Sequence, residues 1–145
     1  MEPISISTIS DLDFGGVKPA GAGAGRVTID PVSATASYEG TAQLDCGAAD
    51  CLPSPATYLV KGTPGRRYRV QLPDRVVAHS SANPDVQLIV SQLRAASVNL
   101  SGEPNRGSID SKGRDRLHVG GSLIVPATAS PGHYTAEVTV AVAYE

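Results

Sequence analysis

Two cysteines, Cys46 and Cys51, carry the most reactive side chains in the sequence and stand in the segment CGAADC. Four residues separate them, which is too many for a CxxC redox pair, and no second cysteine pair exists to complete a zinc site. The spacing therefore favours a disulfide that closes a short loop and contributes about 2 kcal/mol to stability. A disulfide predicts an oxidising compartment, whereas the alternative is a pair of reduced thiols in a cytosolic protein.

The histidines and serines do not form a catalytic or metal-binding pattern. His79, His118 and His133 are scattered, and the sequence contains neither HExxH nor a GxSxG nucleophile elbow. We expect His118 to face solvent from a strand and His133 to face solvent from a turn. The sequence predicts that the protein is not an enzyme and that it holds no metal or other cofactor.

Two further segments contain residue types that could bind ions. The segment 62–65 reads GTPG, but no Gly-Lys-[Ser/Thr] follows and the proline lacks an amide donor, so a tight turn is predicted rather than a phosphate loop. Asp110 and Asp115, with Asn105 nearby, offer oxygen ligands for calcium. Basic neighbours and an unfamiliar spacing argue against a calcium loop there.

Arg66, Arg67 and Arg69, together with Arg75, form the densest basic cluster. Strand alternation places Arg67 and Arg69 on one face, opposite Tyr68 and Val70. This cluster is interpreted as a solvated outer face, with a contact to an acidic neighbouring subunit or to anionic glycans as the alternative.

The composition indicates which elements position these side chains. The chain has 145 residues, a net charge of -2, and 15 glycines and 11 prolines spread along its length. Such breakers prevent long helices, whereas short β-branched strands and turns tolerate them. No basic excess suits nucleic acid, and no apolar run is long enough to span a membrane. A single domain over residues 1–145 is predicted.

Strand signals recur at intervals of about 8–12 residues, as in an immunoglobulin-like sandwich. Alternation changes parity near Ile9, which predicts a bulge or a break there, and Gly120-Gly121 predicts a kink within the strand around Leu117–Val125. Residues 101–114 are predicted to form a loop. The single helix candidate, Val90–Val98, has no cap and is equally compatible with a strand.

The last twelve residues show the clearest alternation in the chain. They predict one long strand whose inward face is Tyr134, Ala136, Val138, Val140, Val142 and Tyr144. An immunoglobulin-like sandwich normally adds one further strand after the penultimate one. Because the sequence ends here, we expect an all-β, immunoglobulin-like (pilin-like) β-sandwich lacking its final strand. The last strand then lies at a natural edge or beside a groove that another chain fills by donor-strand complementation.

This C-terminal segment resembles that of chaperone–usher pilus subunits, which share a penultimate tyrosine and a glycine fourteen positions from the end. Here these residues are Tyr144 and Gly132. The order of short motifs along most of the chain also resembles an uncharacterised bacterial family of secreted β-sandwiches, a domain of unknown function similar to spore-coat-protein-U-like pilus subunits. These motifs are LDFG at 12–15, RVTI at 26–29, YLVKG at 58–62, YRVQLP at 68–73, VGGSL at 119–123 and PGHY at 131–134.

The resemblance implies a structural subunit of an archaic or alternative chaperone–usher pilus. Its partners are neighbouring subunits of the same fibre, a periplasmic chaperone and an outer-membrane usher, with no nucleic acid and no membrane insertion. The donor-strand groove is implied to lie beside Val138, Val140, Val142 and Tyr144. The protein is implied to pass through the periplasm to the cell surface. Residues 1–3 do not resemble a signal peptide, so either a signal was removed, which we favour, or the protein is not secreted.

The N-terminus departs from the pilin pattern, because little sequence precedes the first predicted strand. Ile4 and Ile6 are therefore the end of a donor strand, residues of the first strand, or part of a short donor exchanged between chains. The alternative function is a self-contained secreted adhesive or glycan-binding sandwich. That alternative predicts a stable monomer whose groove is filled by its own N-terminus.

Overall fold

A computed structural model describes residues 2–19, 23–33, 35–40, 42–44, 53–81, 85–100, 102–126, 128 and 132–145. The described ranges contain no helix, and therefore no helix that is long and apolar enough to cross a membrane. The strands are β1 (Ser5–Ser10), β2 (Leu12–Pro19), β3 (Gly25–Ile29), β4 (Ala36–Gly40), β5 (Ala42–Leu44), β6 (Ala56–Lys61), β7 (Arg67–Gln71), β8 (Arg75–Ser80), β9 (Gln87–Ser97), β10 (Arg106–Ser108), β11 (Arg114–Val125), β12 (Gly132–Ala136) and β13 (Ala141–Tyr144).

The strands form an immunoglobulin-like β-sandwich, as the composition and strand spacing predict. The larger sheet has the order β1-β6-β11-β9-β8-β12-β2-β5, and β3 joins it by pairing with β11 and β4. The smaller sheet has the order β10-β7-β13. All of these ladders are antiparallel, so neighbouring strands present alternate side chains to a shared core.

The core is built from aliphatic side chains and tyrosines on the inner faces of both sheets. Burying each large apolar side chain contributes about 1.5–3 kcal/mol, which explains how a chain with a single phenylalanine sustains the fold. The largest fully buried side chains are Tyr68, Tyr134, Phe14, Leu12, Ile29, Ile109, Leu117, Leu123, Val17, Val27, Val60 and Val90.

The glycine pair in β11, where the sequence predicts a kink, lies at a register shift between Gly120 and Ser122 in the β11–β9 ladder, and the glycine at position 120 has a steric cause. Residues 114–119 of β11 pair with β6, and residues 122–125 pair with β3 along the same edge, because β9 occupies the other edge. A Cβ on Gly120 would lie 2.1 Å from the Ile29 carbonyl oxygen. Only glycine fits where two successive strands meet one edge of β11. The bulge or break predicted near Ile9 is confirmed by the register shift between Thr8 and Ser10 in the β1–β6 ladder.

The prediction of a single C-terminal strand is wrong in one respect. The segment divides into β12, in the larger sheet, and β13, in the smaller sheet, with 137–140 crossing between them. The alternation itself is confirmed through the crossing, because extended backbone keeps its two-residue period: Val138 is buried, while Val140, Val142 and Tyr144 are half-buried.

The structure decides one open segment and corrects another. For the helix candidate Val90–Val98, the strand alternative is confirmed over residues 90–97, which belong to β9, whose alternating burial places Leu88 and Val90 in the core. The predicted loop over residues 101–114 contains the short strand β10, which pairs with β7 from Arg106 to Ser108. Neither segment carries a local signal strong enough to decide whether it forms a helix, a strand or a loop, so pairing with distant strands decides its secondary structure.

Candidate functional site

Strands β2 and β12 separate at a fork, where the candidate site begins. Their ladder reaches Leu12, which pairs with Ala136. Before Leu12 the chain turns into β1 and pairs with β6, whereas after Ala136 it crosses to β13 and pairs with β7. The residues at the fork are Asp11 and Glu137, both exposed. The two strand edges that diverge from this fork belong to different sheets and leave a groove between them.

The groove has a volume of about 480 Å³ and a mixed apolar and hydroxyl lining. The Tyr58 side chain is buried, and its hydroxyl donates a 2.8 Å hydrogen bond to the Val138 carbonyl. This bond holds the crossing segment against β6. The lining residues are Ile6, Thr8, Asp11, Tyr58, Glu137, Val138, Thr139 and Val140.

Burial raises the pKa of the Tyr58 hydroxyl to about 12, and the nearby charges of Asp11 and Glu137 contribute to that rise. The hydroxyl is therefore uncharged at neutral pH and available as a hydrogen-bond donor.

Along β13, one backbone edge points away from its partner strand. The Glu145 amide donates to the Arg67 carbonyl (3.1 Å), so odd-numbered residues of β13 form the bonds to β7. Val70 of β7 instead directs its amide to the Asn105 carbonyl on the opposite side (2.9 Å). The amide and carbonyl groups of Val142 and Tyr144 consequently point to the free edge. Among the described residues, β13 forms a ladder with β7 alone.

Tyr144 fixes the far end of this edge and ties it to the N-terminal segment. Its hydroxyl donates to the Glu2 carbonyl (2.5 Å) and accepts from the Thr63 amide (2.8 Å), while the Arg66 guanidinium lies 5.2 Å from its ring centroid. A Cβ on Gly62 would lie 2.6 Å from the Tyr144 hydroxyl oxygen. The predicted turn at 62–65 is confirmed by the Arg66 amide, which donates to the Thr63 carbonyl (3.3 Å), and one role of this turn is to receive Tyr144.

A family model described as a domain of unknown function, DUF4402, matches residues 4–144. The chain belongs to this family. The match covers both strands that diverge from the fork as well as Tyr144. No curated protein and no solved structure matches the chain.

In this DUF4402 domain, Ile4 and Ile6 lie in or beside the first strand. Ile6 pairs with Val60 of β6 in the same chain, and both isoleucines are half-buried while the rest of β1 is exposed. β1 is an edge strand that borders the groove. Ile6 thus belongs to the first strand of this chain, and Ile4 directly precedes that strand.

The basic cluster of the DUF4402 domain lies on and beside β7. Arg67 and Arg69 are exposed opposite the buried Tyr68 and Val70, as alternation predicts. Arg66 lies over the Tyr144 ring instead of projecting into solvent with them. The Arg67 guanidinium approaches Glu103 at 3.9 Å, which is a weak contact for two exposed groups.

Asp115, which the sequence offered only as a candidate calcium ligand, is a buried carboxylate, and sequence reasoning missed that burial. Asp115 is 3% exposed and accepts hydrogen bonds from the Tyr68 and Ser97 hydroxyls and from the Arg116 amide (2.8 Å) and Asn99 amide (3.2 Å). Burial and the bond to Asp115 raise the pKa of Tyr68. The parity of β11 could have located Asp115, since it shares the inward face with Leu117.

His118 and His133 are half-buried, so each is exposed only in part. The His118 Nδ1 lies 3.2 Å from the Thr57 hydroxyl, and the His133 Nε2 lies 2.7 Å from an Asp13 carboxylate oxygen. Within the described residues, no group of three or more histidine, cysteine or acidic side chains could hold a metal ion. The predicted disulfide partners, Cys46 and Cys51, lie outside the described residues.

Proposed function

We propose that this DUF4402 domain is a structural subunit of a bacterial surface fibre, assembled by donor-strand complementation. An extended segment of a neighbouring subunit enters the groove between β1 and the 137–144 edge. The observation that carries the proposal is the unpaired backbone edge of Val142 and Tyr144, which continues the groove that Ile6, Val138 and Val140 line on its apolar side. An open strand edge is a template for pairing with another chain.

Hydrogen bonds and apolar burial favour insertion, whereas ordering of the inserted segment opposes it. Val142 and Tyr144 each offer one amide and one carbonyl, and each ladder hydrogen bond contributes about 0.5–1.5 kcal/mol. The half-buried Val140 and Val142 still expose apolar surface that an incoming strand covers, at about 25 cal/mol per Å². Ordering the inserted segment costs about 1–2 kcal/mol per residue. A segment that fills several inward positions offsets that cost.

The resemblance to chaperone–usher pilins supplies the route of assembly in this proposal. A periplasmic chaperone holds the groove first, an outer-membrane usher presents the subunit, and the donor strand of the next subunit then replaces the chaperone. The protein is secreted and resides at the cell surface.

A second candidate function, a self-contained adhesive or glycan-binding module, has its own supporting observation. β12 is flanked on both sides by strands of the same chain, β8 and β2, so half of the predicted open strand is closed. The contact between Glu2 and Tyr144 also lets the N-terminal segment cover the end of β13. This candidate predicts a monomer that takes up no strand.

The test uses a synthetic peptide of about ten residues with isoleucine and threonine alternating, which is long enough to pair along 137–145. Hydrogen exchange measures protection of the β13 amides in the wild type, in Val140→Asp and in the matched control Ala141→Asp. We expect the peptide to protect the Val142 and Tyr144 amides in the wild type and in the control. Val140→Asp should abolish protection, because a carboxylate then occupies the inward face.

Equal protection in both variants would contradict strand insertion at this groove. A wild-type protein that shows no protection at any peptide concentration, and elutes as a heat-stable monomer in size-exclusion chromatography, would favour the self-contained module.

A further inference from the structure

The fork between β2 and β12 carries two like charges at the closed end of the groove. Asp11 and Glu137 are the first residues beyond the Leu12–Ala136 pair, and both line the groove. The same two side chains also line a neighbouring depression of about 520 Å³. They therefore form an acidic ridge at the point where an inserted strand would end.

The carboxylates of the acidic ridge exert an electrostatic effect on a side chain that lines the groove. Both carboxylates raise the pKa of Tyr58, whose hydroxyl belongs to the groove lining, so their field reaches the site. None of the ion pairs found among the described residues includes Asp11 or Glu137. The remaining lining of the groove is apolar or hydroxyl-bearing and supplies no positive charge.

We propose that the groove selects an extended segment that carries a lysine or arginine side chain at the position reaching Asp11 and Glu137. This inference rests on the proposed strand insertion and names the charge of its partner. A cation at the fork pairs with both carboxylates, whereas an acidic residue meets repulsion that excludes wrong partners. Residues 4–9 of a second copy carry no charged side chain, so they are a poor occupant.

The probes are alternating isoleucine–threonine peptides of about ten residues, acetylated and amidated so that their termini carry no charge. One threonine near either end is replaced by lysine, glutamine or glutamate, which covers both orientations of the strand. Fluorescence anisotropy measures the affinity of each peptide for the wild type, for Asp11→Asn/Glu137→Gln and for the control Glu39→Gln/Asp74→Asn. The control residues are exposed and absent from the groove lining.

We expect the lysine peptide of one orientation to bind about three- to tenfold more tightly than its glutamine counterpart, with the glutamate peptide weakest. The preference should disappear in Asp11→Asn/Glu137→Gln, persist in the control, and shrink at high salt.

Each remaining outcome overturns a defined part of the reasoning. Equal affinity for all three peptides, with binding intact, refutes charge selection and leaves strand insertion standing. A lysine preference that survives in Asp11→Asn/Glu137→Gln also refutes the assignment to the acidic ridge. If no peptide binds the wild type, the proposed strand insertion is refuted, and with it the selection of a positively charged segment.

Discussion

Replacing Tyr58 with phenylalanine tests whether one buried hydroxyl holds the wall of the groove. The substitution removes the 2.8 Å hydrogen bond to the Val138 carbonyl and leaves that buried oxygen without this donor. Such a loss costs about 1–3 kcal/mol of unfolding free energy. Because the chain has no tryptophan, urea unfolding is followed by far-UV circular dichroism. The crossing segment 137–140 should also exchange its amide hydrogens faster in the variant.

The same residue predicts a pH dependence with a definite sign. The pKa of Tyr58 rises from the ordinary tyrosine value of 10.0 to about 12 in the fold. Because the pKa of Tyr58 is higher in the folded state than in the unfolded state, the neutral hydroxyl stabilises the fold. This contribution to the unfolding free energy is fully present below pH 10.0 and is lost as the pH rises through about 12. At about 1.4 kcal/mol per pH unit, the loss is about 3 kcal/mol. The unfolding free energy of Tyr58→Phe should therefore fall less steeply than that of the wild type over this range.

Tyr38 provides the matched control. Its hydroxyl is buried and has no hydrogen-bond partner within the part of the chain that the structure describes. Tyr38→Phe should leave the stability at neutral pH unchanged or slightly higher, because no bond is lost and an unsatisfied group is removed. If Tyr58→Phe and Tyr38→Phe have the same unfolding free energy at neutral pH, the bond to Val138 does not stabilise the groove wall.

Three further substitutions have expected outcomes. Gly107→Ala should lower the unfolding free energy by about 1–3 kcal/mol in urea titrations, because its Cβ would lie 2.1 Å from a buried tyrosine ring; an unchanged value would refute this clash. Asp115→Asn should cost about 1–3 kcal/mol by the same measurement, since the side-chain NH₂ group then faces hydrogen-bond donors and leaves a buried donor unsatisfied, whereas the exposed Asp74→Asn should change little. Tyr144→Phe should accelerate hydrogen exchange around Glu2, and unaltered exchange there would show that this hydroxyl does not hold the N-terminal segment.

Local periodicity predicted much of the groove. The alternation from Tyr134 to Tyr144 located the inward side chains, and the parity change near Ile9 located the bulge in β1. These predictions succeed because extended backbone alternates its side chains whatever the strand pairs with. The position of Arg67 opposite Tyr68 follows from the same rule.

Local periodicity could not predict which strands pair with one another. The sequence of residues 137–140 does not indicate that the chain crosses from one sheet to the other. The crossing arises because β12 pairs with β2 and β8, whereas β13 pairs with β7. The acidic ridge has the same origin. Asp11 and Glu137 are 126 positions apart in sequence and meet because Leu12 pairs with Ala136.

The sequence by itself determined that this protein is an all-β sandwich whose last residues turn one apolar face inward. Composition and two-residue alternation are local properties, and they act before any long-range contact forms. Only the tertiary structure decided which strand edges remain unpaired, where the groove opens and which charged side chains lie at its closed end. Those features depend on strand register between distant segments, which the burial of a shared core selects and no single segment encodes.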